Sequence, residues 1–181
     1  MTLSGRNLGY QEQSIAMGTL DPLAGVTVTV ENQPAKLISA APGQVNVQLP
    51  EGISGTVSLE LKTPNGVTRT TLVMTPTAPG LIVFTHTNGV FVSDENPASP
   101  GETLMAYAAG LGRWDGERPE HPVRIRVGSR FLATDRIDND TGLAAVQRVL
   151  FTLPADQPAG TVMVSLEAGQ EMSQPFPVRI R

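Results

Sequence analysis

Gly25-Val26-Thr27-Val28-Thr29-Val30 decides how this chain folds. Valine recurs at every second position, so an extended strand turns Val26, Val28 and Val30 to one face and Thr27 and Thr29 to the other. Such a strand hides its apolar face against a second layer and leaves its hydroxyls in water. Downstream, Glu31-Asn32-Gln33-Pro34 reads as a turn and residues 35–40 as the returning strand. Val45, Val47 and Leu49 alternate with Asn46 and Gln48 until Pro50, and Val57, Leu59 and Leu61 alternate with Ser58, Glu60 and Lys62. Thr63-Pro64-Asn65-Gly66 turns the chain into residues 67–74 and completes a hairpin, because Pro pre-sets φ and Asn-Gly tolerates positive φ. Upstream, residues 3–8 read as a strand and residues 9–23 as a polar loop, with Ile15, Met17 and Leu20 directed at a core.

The same order is then written again. Val123-Arg124-Ile125-Arg126-Val127 stands where residues 26–30 stood, with arginines in place of the outward threonines. Phe151-Thr152-Leu153-Pro154 answers Val47-Gln48-Leu49-Pro50, and residues 160–166 answer residues 55–61. Residues 101–107 lead to Gly110-Leu111-Gly112 as Thr2-Leu3-Ser4-Gly5 leads to Leu8-Gly9. Four matches in one order indicate duplication. The second copy adds a leader, residues 84–100, and a longer loop, residues 135–143. Ala78-Pro79-Gly80-Leu81-Ile82 is the short joint, since Pro76, Pro79 and Gly80 do not suit a central strand. The reading is an all-β chain of two tandem immunoglobulin-like β-sandwich domains, residues 1–78 and 79–181, joined as a semi-rigid rod.

Composition agrees. Eighteen Gly and fifteen Pro among 181 residues favour turns and strands over helices. A net charge of −4 speaks against nucleic acid, which requires a concentrated basic surface. Without cysteine there is no disulfide or thiolate metal site. No apolar run approaches the ~20 residues that span a bilayer, and the opening residues 1–6 lack a signal peptide's apolar core.

Val26-Thr27-Val28-Thr29-Val30 followed by Ala41-Pro42-Gly43-Gln44-Val45-Asn46-Val47-Gln48-Leu49-Pro50, the joint Ala78-Pro79-Gly80-Leu81 and the marker Asn96-Pro97-Ala98-Ser99-Pro100-Gly101-Glu102-Thr103-Leu104 resemble a tandem immunoglobulin-like module. That module, related to the IPT/TIG domains of the E-set class, closes many large exported proteins of soil bacteria. Two departures stand out. The family's first strand, ahead of Thr2, is either missing or lies upstream of Met1, and an edge left open there could take a strand from a neighbouring chain or from upstream sequence. Gln147-Arg148-Val149-Leu150 replaces a Tyr-Gln-Val-Asn pattern. The resemblance implies an extracellular or cell-surface, non-catalytic module excised from a longer chain, and supplies no catalytic residues.

Candidate sites are few. His86 and His121, the only histidines, sit in no catalytic spacing and read as surface residues. No Gly-x-Ser-x-Gly elbow or His-Glu-x-x-His motif occurs, so the chain reads as no enzyme, and nothing calls for a cofactor. Asp135, Asp138 and Asp140, with Asn139 and Glu102 or Asp94, offer calcium oxygens, but the spacing is not an EF-hand and a solvated acidic loop is the commoner outcome. Trp114, flanked by Arg113, is the best candidate to stack on a sugar or enter a partner's pocket, against the commoner reading that it packs on its own domain; Tyr107 reads as core. Arg124 and Arg126 form a basic stripe that suits an acidic polymer or, more commonly, discourages edge aggregation. The partners expected are neighbouring domains, another protein or a polysaccharide. The reading is therefore a structural or binding module (spacer, adhesion or protein contact), and its rival a carbohydrate-binding accessory module using loops of the second sandwich.

Overall fold

A computed structural model of the chain describes residues 1–139 and 141–181. The protein is all-β, with two tandem immunoglobulin-like sandwiches built from antiparallel sheets. It divides into two compact units, Met1–Pro76 with Gly142–Ala145, and Thr77–Thr141 with Val146–Arg181.

In the first unit, β1 (Thr2–Ser4), β6 (Gln44–Gln48), β5 (Lys36–Ala41) and β2 (Gln13–Thr19) form one sheet in that order. The other sheet runs β4 (Gln33–Pro34), β3 (Thr27–Val30), β7 (Gly55–Thr63) and β8 (Gly66–Met74). Val26, Val28 and Val30 face Leu37, Ala40, Val45 and Val47 across the core, with Val57, Leu59 and Leu61 beside them. Full burial of each such aliphatic side chain contributes about 1.5–3 kcal/mol. The β3–β4 turn falls on Glu31 and Asn32, both at positive φ (48° and 63°), the handedness that matches the twist of a two-residue hairpin.

Residues 9–23 depart from the expected loop. Residues 13–19 form β2, an edge strand whose pairing with β5 is interrupted between Ser14 and Thr19. Ile15, Met17 and Leu20 are exposed rather than directed at the core. An irregular edge strand does not hold every second side chain inward, so alternation loses its meaning there.

In the second unit, one sheet runs β15 (Arg136–Asp138), β16 (Gln147–Thr152), β10 (Thr103–Ala109) and β9 (Gly80–His86). The facing sheet runs β14 (Arg130–Ala133), β13 (Val123–Val127) and β17 (Gly160–Ala168), with β18 (Glu171–Met172) and β19 (Phe176–Ile180) both paired to β17. A two-stranded ribbon, β11 (Trp114–Asp115) and β12 (Arg118–Pro119), leaves from the end of β10. The order β10-β16-β15 repeats β1-β6-β5, and β14-β13-β17 repeats β4-β3-β7. Two segments expected as loops hold strands, β15 in the Asp135 region and β11 at Trp114, while the joint and the start of the leader form β9. β11 and β15 are only two and three residues long, and each exists because a neighbour supplies the other half of its ladder.

Phe84, Phe151, Leu104, Ile125, Leu166 and Ile180 fill the second core. The Phe84 ring meets Phe151 edge-on, with centroids 6.0 Å apart, and Phe176 at 5.3 Å. No helix among the described residues is long and apolar enough to cross a membrane.

Candidate functional site

Alternation along β13 builds the site. Val123, Ile125 and Val127 are buried, so Arg124 and Arg126 stand on the outer face of the sheet. The hairpin through Gly128-Ser129 sets Phe131 of β14 opposite Arg126, and β17 sets Glu167 opposite Arg124. The Arg124 guanidinium carbon lies 4.6 Å from the Phe131 ring centroid and that of Arg126 lies 5.8 Å from it. Glu167 Oε1 accepts from Arg124 Nε at 3.0 Å and Nη2 at 2.6 Å, while Arg126 Nε donates to the Gly128 carbonyl at 3.0 Å. Phe131 is nonetheless 45% exposed, and the exposed Met172 sulfur lies 4.0 Å from Arg126 Nη1. A cation over an exposed ring contributes roughly 0.5–1 kcal/mol. Its larger effect is preorganisation, since anchored side chains lose little freedom when a partner arrives.

Arg113 and Trp114 belong to the separate β11–β12 ribbon, so the four binding candidates fall into two groups. Arg113 is exposed; Trp114 is half-buried, and its indole N–H is enclosed without a hydrogen-bond partner among the described residues. Tyr107 is likewise half-buried, on β10 opposite Arg148.

Among the described residues, Asp135 and Asp138 are engaged by separate partners rather than brought together. Asp135 Oδ2 accepts from Thr152 Oγ1 at 2.8 Å. Asp138, only 12% exposed, receives Arg136 Nε on one oxygen and Arg148 Nη2, at 2.7 Å, on the other. Burial pushes the Asp138 carboxyl up, but hydrogen bonds from Arg148 and Arg136 outweigh it and hold the group below its ordinary value. Asp140 lies outside the described residues. Among the described residues no three His, Asp or Glu side chains cluster so as to hold a metal.

Two features escaped the sequence reading. One is Phe131, whose position beside the stripe depends on the β13–β14 register. The other is His86, which is not a plain surface residue. Its Nδ1 meets Glu102 Oε1, its Nε2 lies 3.2 Å from the Asn96 carbonyl, and Glu102 Oε2 accepts from the Ser99 N–H at 2.7 Å. The side chains are 17% and 25% exposed, at the edge of a cleft of about 560 Å³ that Asn88, Glu95 and Arg181 also line. The marker residues 96–104 thus hold a clamp that ties the leader to β9 and β10. Its sequence signal was the Pro100-Gly101 turn with a carboxylate just beyond it.

The clamp predicts a pH signature. The bond to Glu102 raises the His86 pKa above 6.5, with help from the Asn96 carbonyl and against both burial and the Arg181 charge. Burial pushes the Glu102 carboxyl up, but the bonds from His86 and the Ser99 N–H outweigh it and hold it below 4.5. His86 therefore adds stability fully below pH 6.5 and loses it as pH rises through its raised folded value. Glu102 adds stability above 4.5 and loses it as pH falls through its lowered folded value. His86→Gln is expected to cost roughly 1–2 kcal/mol near pH 5–6. Melting curves should show that difference shrinking towards pH 9; a flat difference would mean the pair is not charged.

No family model matches the sequence, and no curated protein matches it. Solved structures are similar to it at a distance. The mixed-linkage glucan utilization locus protein SGBP-B of Bacteroides ovatus, in complex with a mixed-linkage heptasaccharide, is 16% identical, with 86% of this chain and 37% of that one covered and a TM-score of 0.38. Gamma-CGTase from alkalophilic Bacillus clarkii is 15% identical, with 99% of this chain and 22% of that one covered and a TM-score of 0.40. Domains 4 and 5 of the S-layer protein SbsC are 13% identical, with 86% of this chain and 70% of that one covered and a TM-score of 0.23. The chain thus spans well under half of the first two. No activity or ligand passes from those proteins to this chain.

Proposed function

We propose that this chain is a non-catalytic contact module of an exported or cell-surface protein, of the IPT/TIG-related kind, whose second sandwich meets a partner through the outer face of β13 and β14. One observation carries the reading: an exposed Phe131 ring flanked by two anchored guanidiniums on the outer face of the sheet. Aromatic rings and arginines are the side chains that most often dominate binding energy at interfaces. Both His86 nitrogens are engaged by Glu102 and Asn96, which favours a structural over a catalytic role for that residue.

The test is a binding survey of the chain against acidic and neutral polysaccharides and acidic peptides, run with the wild type, Phe131→Ala and Trp114→Ala. The expected result is a ligand whose binding falls about tenfold or more in Phe131→Ala, with the circular dichroism spectrum unchanged. Binding that survives Phe131→Ala and disappears in Trp114→Ala would overturn this face and favour the carbohydrate-binding rival at the β11–β12 ribbon.

A further inference from the structure

The hairpin strand β8 closes one side of its sheet. It pairs with β7 over nine consecutive residues without a shift of register, and no strand lies on its far side among the described residues. By contrast, the edge strands β14 and β15 hold only four and three residues, and β2 is interrupted between Ser14 and Thr19. β19, in the matching place of the second sandwich, has Ala98 against its Ile180 end. Ile180 stands opposite Gly160 as Met74 stands opposite Gly55, so a cover of that kind reaches Met74 and leaves residues 67–73 open.

Alternation sets what that edge offers. Ser58 bonds towards β3, since its carbonyl accepts from the Glu31 N–H at 2.9 Å and its own N–H donates to Glu31 Oε1. Thr71, opposite Ser58, therefore turns its N–H and C=O away from β7, and Val67, Arg69 and Val73 share its direction. The same four side chains stand on the outer face, because Leu72 and Met74 pack on the core. Val67 is 49% exposed and Val73 is 76% exposed. Arg69, the only charge on the strand, is held by Glu60 Oε2, 2.6 Å from Nη2. No Lys, Pro or bulge guards this edge.

Those four positions are symmetric about Thr70, the midpoint of β8. A second β8 laid antiparallel about a two-fold axis at Thr70 brings Val67 against Val73 of the other copy and Arg69 against Thr71. The two exposed valines then cover each other, and every outward N–H and C=O meets its complement. An axis at Arg69 would oppose two guanidiniums, which is destabilising. An axis at Thr71 would leave Val67 with no β8 residue opposite.

We propose that two copies of this chain pair through β8, edge to edge and antiparallel about Thr70, so that their four-stranded sheets become continuous. The contact belongs to the first sandwich alone and stands whether or not the Phe131 face binds anything.

Sedimentation equilibrium of the full chain across concentration is the first measurement. The expected result is a monomer–dimer equilibrium with a dissociation constant below about 1 mM, the weak end of useful affinity. Val73→Lys, at an exposed site outside the core, should weaken it by about tenfold or more. The chain has no cysteine, so single introduced cysteines report the register. Thr70→Cys sets the two cysteines about 4.5 Å apart, Cα to Cα, within disulfide reach. Thr68→Cys sets them about 13 Å apart, out of reach. Under mild oxidation only Thr70→Cys should yield a covalent dimer. A monomer at about 1 mM, a dimer indifferent to Val73→Lys, or equal crosslinking of the two cysteine variants would each overturn the proposal.

Discussion

Replacing Phe84 with alanine is expected to destabilise the second sandwich by about 3–5 kcal/mol, the usual cost of emptying a fully buried aromatic site. Phe84 is 1% exposed and is shared between Phe151 and Phe176, so its removal takes away two ring contacts as well as burial. Backbone pairing on both sides of β9 resists collapse into the space, since the strand lies between β10 and residues 90–92. Urea unfolding followed by Trp114 fluorescence reads this directly, because the single tryptophan belongs to the second unit. A loss below about 1 kcal/mol would mean that the core repacks freely, contrary to the close packing of such interiors.

Gly110→Ala should be nearly as damaging, for a different reason. Gly110 has φ +77°, and an added Cβ would lie 1.9 Å from the Ala78 carbonyl oxygen and 2.6 Å from its carbon. Both atoms are backbone and cannot rotate aside. Displacing them also strains the 2.8 Å bond from the Ala78 N–H to the Gly110 carbonyl, where the chain enters the second sandwich. A loss of about 2–3 kcal/mol is expected, at the upper end for single substitutions. Gly116→Ala is the matched control: its φ is +61° with nothing within 4 Å of the new Cβ, so only the left-handed penalty of roughly 1–2 kcal/mol remains. Equal losses for the two variants would remove the steric argument.

The contrast between those glycines marks how far the residues could be read unaided. Gly110-Leu111-Gly112 is legible as the marker that follows β10, and its glycines suit the positive φ found there because that is a local demand. That Gly110 presses against Ala78 depends on chain segments thirty residues apart meeting. The outward direction of Arg124 and Arg126 was likewise legible from the buried residues between them. Phe131 and Glu167 join them only through the register of β14 and β17. Asp138 looked like a metal oxygen because a carboxylate's partners do not show in its own stretch; Arg148, ten residues on, claims it across the β15–β16 pair.

By itself the sequence determined the all-β class, the duplication and which residues of β3, β6, β7, β13 and β16 face the cores. Period-two alternation is a property of neighbouring residues and survives without any knowledge of what lies opposite. Tertiary structure alone decided that residues 13–19 and 136–138 are strands and that His86 and Glu102 form a clamp. Each of these is a pairing between distant segments, and hydrogen bonds and ion pairs acquire partners only when the sheets assemble.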